Sequence, residues 1–216
     1  HSDAGAPAEA SLTVTRGFPG AFRGEARAVV EGWQKEHTVE LSETDQWTLP
    51  FTLDRTTPRA SFHLEMAEEV ANRHTDCAVN ILDSSGKAVR MGAFSGTEAH
   101  TGIRLPEGQD QARFTLQVVG AFALAPQMQD WGFDVRERYH FATPVTGEVS
   151  GPGHGPLRLE CGVPTELAIT FADRWPAAPS GLGIFGFVRL EDRNLDDRRP
   201  GDRGGRLVLE VPIAAE

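Results

Sequence analysis

No apolar run in this chain approaches the roughly 18 residues that a membrane-spanning helix needs. The longest candidate, Phe114 to Ala125, is shorter and alternates in its first half. A helical membrane span is therefore not expected, and peripheral attachment to a membrane complex is compatible with this. Basic residues are the scarcer charge: 21 Lys and Arg stand against 31 Asp and Glu, a net charge of −10. Phosphate recognition wants clustered cations, so this balance argues against a nucleic-acid partner. Cysteine is limited to Cys77 and Cys161, each inside a strand-like run. Without a CxxC or a Cys/His spacing they make no zinc motif; they read as two buried thiols, or as one disulfide in an oxidising compartment. The common catalytic signatures are also missing. There is no HExxH or P-loop, and Ser150-Gly151 and Ser180-Gly181 lack the flanking glycines of a nucleophile elbow. Helical periodicity is absent too, apart from one short turn at Ala67 to His74.

What is present is period-two hydrophobicity, the mark of strands buried on one face. Trp47, Leu49, Phe51 and Leu53 alternate with Thr48, Pro50, Thr52 and Asp54. Pro50 cannot donate to a ladder, which predicts an edge strand or a bulge there. Phe62, Leu64 and Met66 form a second inward set, and Phe114, Leu116 and Val118 a third; Trp131, Phe133 and Val135 close the block. Between them Cys77, Val79 and Ile81 lead into Asp83-Ser84-Ser85-Gly86, a hairpin turn, after which Val89 and Met91 resume the alternation. Short runs also occur at Leu12–Val14, Arg27–Trp33, Val39–Leu41, Leu157–Cys161, Leu167–Phe171, Ile184–Leu190 and Leu207–Ile213.

Short strands with closely spaced turns predict an all-β chain of two β-sandwich domains, jelly-roll or immunoglobulin-like, with little helix. The strands after the Gly- and Pro-rich stretch 144–156 are too few for a sandwich of their own. The expected division is therefore residues 38–140 as one sandwich and residues 11–36 plus 144–216 as a second, split one, with 1–10 as an N-terminal tail. Two domains in simple tandem are the alternative.

Residues 38–138 resemble the bacterial pre-peptidase C-terminal domain. The resemblance is carried by Asp45-Gln46-Trp47-Thr48-Leu49-Pro50-Phe51, by Asp76-Cys77-Ala78-Val79-Asn80-Ile81-Leu82-Asp83-Ser84-Ser85-Gly86, and by the Leu105-Pro106-Glu107-Gly108 turn before Phe114-Thr115-Leu116-Gln117-Val118. It implies a jelly-roll-like sandwich, export from the cell and a non-catalytic accessory role, and it carries over no catalytic residue. The small, polar opening His1 to Ala10 lacks a signal core, which fits a mature secreted or periplasmic chain.

Chemistry-bearing candidates are few. An N-terminal His1 offers its amino group and imidazole to copper, with His37, His63, His74, His100, His140 or His154 as a second ligand. His63, between Phe62 and Leu64, is expected to point away from the core. Asp192, Asn194 and Asp196 space oxygen ligands at every second residue, as calcium loops do, although no EF-hand pattern follows; a salt-bridged hairpin tip is the ordinary explanation. Glu65, Glu68 and Glu69 form an acidic cluster of the kind usually found on surfaces. Trp33, Trp131 and Trp175 are candidate exposed aromatics. Phe18, Trp175, Phe185 and Phe187 are candidate partner contacts, since Gly183 to Phe187 places hydrophobic residues on both faces of one strand. The functional expectation is a non-catalytic, extracytoplasmic accessory or structural subunit that meets other protein subunits through its surface and needs no cofactor. The alternatives are a copper-dependent enzyme using His1, or a calcium- or carbohydrate-binding module.

Overall fold

Alternation becomes strand throughout the described chain. The computed structural model describes residues 8–15, 22–42, 46–72, 77–120, 130–151, 157–160, 162–171, 179, 181–192 and 208–215. In chain order these form β1 (Ala8–Thr15), β2 (Phe22–Ser42), β3 (Gln46–Asp54), β4 (Arg59–Glu65), the single helical turn α1 (Glu68–Ala71), β5 (Ala78–Asp83), β6 (Ala88–Ala93), β7 (Glu98–Arg104), β8 (Gln111–Val119), β9 (Asp130–Ser150), β10 (Leu157–Leu159), β11 (Pro164–Phe171), β12 (Gly183–Asp192) and β13 (Val208–Ala215). The protein is all-β and antiparallel, as the periodicity predicts.

The chain divides into two compact units. One comprises His1–Glu31, Pro144–Pro179 and Ile184–Glu216, and the other Gly32–Thr143 with Ser180–Gly183. The boundary falls inside β2 and inside β9, each 21 residues long. Three expectations change here. The runs at Arg27–Trp33 and Val39–Leu41 belong to one strand, and the first half of the predicted 144–156 linker is the end of β9. The expected tail is also shorter, because Ala8 already pairs with Phe171.

In the split unit β1 lies on β11 from Ala8↔Phe171 to Thr15↔Pro164, and β11 lies on β9. Strand β10 pairs with β2, and β12 with β13. Its core holds Ala28, Val30, Leu157, Leu159, Leu167, Ile169, Phe171, Phe185 and Val188.

The contiguous unit has two facing sheets. One runs β2-β9-β4-β7, the other β3-β8-β5-β6. Counting only these eight strands along the chain, the orders are 1-8-3-6 and 2-7-4-5, the interlocked double Greek key of a jelly roll. Phe51 on β3 reaches across the sandwich to Phe62 on β4 and Tyr139 on β9, with ring centroids 5.0 and 6.2 Å away, and touches Phe114 on β8 at 5.7 Å. Leu53, Leu64, Ile81, Leu116, Val118 and Val135 complete this interior and are fully buried. Pro50 stands on the edge strand β3. At the β5–β6 hairpin one Asp83 carboxylate oxygen accepts hydrogen bonds from the Ser85 amide (2.8 Å), the Ser85 hydroxyl (2.6 Å) and the Lys87 amide (3.1 Å). The Ser85 side-chain bond is the main reason the Asp83 carboxyl titrates below its ordinary range. Gly86 supplies the left-handed residue of the turn at φ 82°. Beyond it the alternation does not resume inward: a register shift at Ile81/Leu82 and an edge position leave Val89 42% and Met91 82% exposed.

Candidate functional site

The outward positions of β4, β7 and β9 are almost all polar. Every second residue of β4 reads Arg59, Ser61, His63, Glu65; of β7, Glu98, His100, Gly102, Arg104; of β9, Asp134, Arg136, Arg138, His140. Because side chains alternate across a strand, each set shares one face. The register aligns these sets into rows. Arg104, Arg59 and His140 lie abreast; then Gly102, Ser61 and Arg138; then His100, His63 and Arg136; then Glu98, Glu65 and Asp134.

Three of these four rows set like residues opposite each other. Arg59 is opposite Arg104, His63 opposite His100, and Glu65 opposite both Glu98 and Asp134. Like charges directly across a sheet are destabilising. The neighbouring β2–β9 seam follows the ordinary complementary rule. There Arg136 Nε donates to Glu36 at 2.8 Å, Thr38 Oγ1 donates to Asp134 at 2.7 Å, and Arg138 Nε donates to Gln34 at 3.3 Å. The face is therefore sorted: arginines at one end, histidines in the middle, carboxylates at the other.

A cleft of about 900 Å³ opens over the basic end. Arg59, Arg90, Arg104, Arg136 and Arg138 line it, together with His63 and His100. Among the described residues no carboxylate lies within ion-pair distance of Arg59, Arg90 or Arg104. Gly102 sits on the cleft floor, where a β-carbon would come within 2.8 Å of the Ala60 carbonyl. At the end of the arginine rows His140 meets the Ser61 hydroxyl at 2.8 Å. Burial, aided by the cations Arg59 and Arg138, lowers its pKa from 6.5 to about 4, so this imidazole stays neutral near pH 7. A smaller hollow of about 210 Å³ lies at the acidic end, lined by Glu36, Glu65, Asp134 and Arg136 among others.

A separate polar group lies inside the sandwich. Glu137, 4% exposed, accepts a hydrogen bond from the Tyr139 hydroxyl at 3.0 Å. Burial, together with the nearby Glu137 charge, pushes the Tyr139 phenol well above its ordinary range. His37 Nε2 stands 3.1 Å from Glu137, near enough for an ion pair but off the angle of a hydrogen bond.

The residues singled out from sequence fare differently. His63 points outward as expected and faces His100. Trp33 and Trp131 are each 3% exposed and are core residues. Phe185 is also buried, at 5%, so it serves packing and not contact; Phe187 is half-buried. Asp192 is the last residue of β12, and Glu68 and Glu69 lie exposed on α1. Phe18, Trp175, His1, His74, His154, Asn194, Asp196 and Cys161, on which the copper, calcium and disulfide expectations draw, lie outside the described residues. Cys77 is buried. The arginine rows were not found from sequence. Their signal is the even-position pattern of each strand, which acquires meaning only once the strands are laid side by side.

Among the described residues no helix is long and apolar enough to cross a membrane. No protein-family profile and no curated protein matches the chain. Solved structures give distant likenesses. The periplasmic inhibitor of g-type lysozyme from Aeromonas hydrophila is 12% identical, over 50% of this chain and 86% of its own, with a TM-score of 0.33. A Bacillus endospore appendage, one of a family of disulfide-linked pili, is 13% identical over 53% of this chain and 90% of its own, with a TM-score of 0.31. Tripeptidyl peptidase 2 is 12% identical over 95% of this chain but 18% of its own, with a TM-score of 0.44.

Proposed function

We propose that this chain is a non-catalytic, extracytoplasmic recognition module whose jelly roll docks a protein partner on the charge-sorted face of β4, β7 and β9. The observation that carries this reading is the like-with-like register, Arg59 opposite Arg104 and Glu65 opposite Glu98. A surface serving stability alone gains from opposite signs across a ladder, as on the β2–β9 seam; a surface that sorts its charges offers a complementary field to something else. The acidic row beside the basic cleft favours a protein surface with both signs over a uniform polyanion, which Glu65, Glu98 and Asp134 would repel. The role of accessory subunit and the export from the cell rest on the resemblance of residues 38–138 to the pre-peptidase C-terminal domain, which also implies a jelly-roll-like sandwich.

The test uses two peptides of equal length, one with a block of glutamates followed by a block of lysines and one all glutamate, with a heparin oligosaccharide alongside. Fluorescence anisotropy should show the block peptide bound most tightly, with an affinity that falls as salt is raised. Reversing two charges, Arg59→Glu with Arg104→Glu, should weaken it by about tenfold or more. Equal binding by the parent and the reversed protein, or tighter binding of heparin than of the block peptide, would refute the reading.

A further inference from the structure

We propose that His63, Glu98 and His100 form a binding site for a borderline divalent transition metal, with Zn²⁺ the leading candidate. The inference stands apart from the docking reading, since it needs neither the arginines nor a partner.

The argument begins with backbone geometry. Glu98 and His100 are two residues apart on β7 and so share a face, and the register sets His63 of β4 directly opposite His100. The two imidazoles stack with centroids 4.4 Å apart and planes 1° from parallel. Glu98 Oε2 closes the group at 3.5 Å from His100 Nε2 and 3.9 Å from His63 Nε2. One ligand atom from each residue falls within 4.8 Å of the others. Zinc bonds to nitrogen and oxygen of about 2.0–2.2 Å place neighbouring tetrahedral ligands about 3.3–3.5 Å apart. Because each ring nitrogen's lone pair lies in its ring plane, the two imidazoles would have to turn out of their parallel stack to bring the three atoms to coordination distance.

An independent observation points to a ligand. Among the described residues, His63 Nε2 has no hydrogen-bond partner, and the atom is shielded from solvent although 29% of its side chain is exposed. A buried ring nitrogen left in this state loses its hydration without replacement, and a metal ion supplies the missing partner. Two imidazoles and one carboxylate are a donor set suited to zinc, nickel or copper; calcium and magnesium prefer all-oxygen shells. Three protein ligands leave the fourth tetrahedral position to water.

The experiment is calorimetric titration of Zn²⁺ into metal-stripped protein, with Co²⁺ absorption as a second readout. One equivalent should bind. His100→Ala should lower the affinity by roughly tenfold or more and abolish the Co²⁺ ligand-field band. Glu98→Gln, which does not touch the arginine cleft, should also weaken Zn²⁺ by about tenfold. His140→Gln should leave the binding unchanged, and circular dichroism should show all three variants folded. The proposal is overturned if no saturable one-equivalent binding occurs, or if His100→Ala and Glu98→Gln bind Zn²⁺ as the parent does.

Discussion

At the scale of single residues, the polar groups of the contiguous unit sort by what surrounds them. His140 is the clearest case. Its folded-state pKa of about 4 lies below the ordinary 6.5, with burial the main cause. The unfolded chain therefore takes up a proton at this ring between those values while the folded chain does not, so stability is full above about pH 6.5 and is lost as pH falls toward 4. His140→Gln, which can still bond Ser61, should flatten that part of the stability–pH curve. An NMR titration of His140 should show no inflection near neutrality; a midpoint at 6.5 would contradict the assignment. Glu137 is handled differently. It is an acidic side chain inside the sandwich that accepts a hydrogen bond from the Tyr139 hydroxyl, with His37 Nε2 3.1 Å away. Ser61 and Arg59 beside His140, and His37 beside Glu137, come from strands distant in sequence, which is why the histidines could be named as candidates and their roles could not.

At the scale of elements, the inward faces were legible and the strand ends were not. Phe62, Leu64 and Met66, and Phe114, Leu116 and Val118, are buried as their alternation predicts. Strand β2 looks like two separate runs in the sequence because its buried parity slips, from Ala28 and Val30 to Trp33 and Val39. A change of phase reads in sequence like a turn. The outer face of β7 depends on a single missing side chain. A β-carbon on Gly102 would press against the Ala60 carbonyl at 2.8 Å, a backbone atom that cannot swing aside. Gly102→Ala should therefore destabilise by about 1–3 kcal/mol. It should also disturb the Arg59–Arg104 pairing, which denaturant unfolding and the peptide-binding assay would both register. An unchanged midpoint and unchanged binding would mean that β4 and β7 are more loosely paired than described.

At the scale of the whole molecule, the two units differ in how the chain builds them. The split unit draws on three separate stretches, whereas the jelly roll is nearly all within Gly32–Thr143 and holds both of its sheets and its own interior. A fragment of residues 32–143 should therefore fold alone, with one cooperative unfolding transition and dispersed NMR signals. A fragment that stays unfolded would show that the jelly roll needs residues outside that stretch.

Period-two hydrophobicity determined, from the sequence alone, that this is an all-β chain and which side of β3, β4, β5 and β8 is buried, and the missing N–H of Pro50 narrowed its place to an edge or a bulge. These properties are local, because a strand's two faces are set by its own residues. The jelly-roll order, the continuity of β2 and β9, and the sorting of arginines, histidines and carboxylates into rows were decided only in three dimensions. Register places residues roughly forty to eighty positions apart side by side, as with His100, His63 and Arg136, and no pattern within one strand specifies which neighbour it will meet.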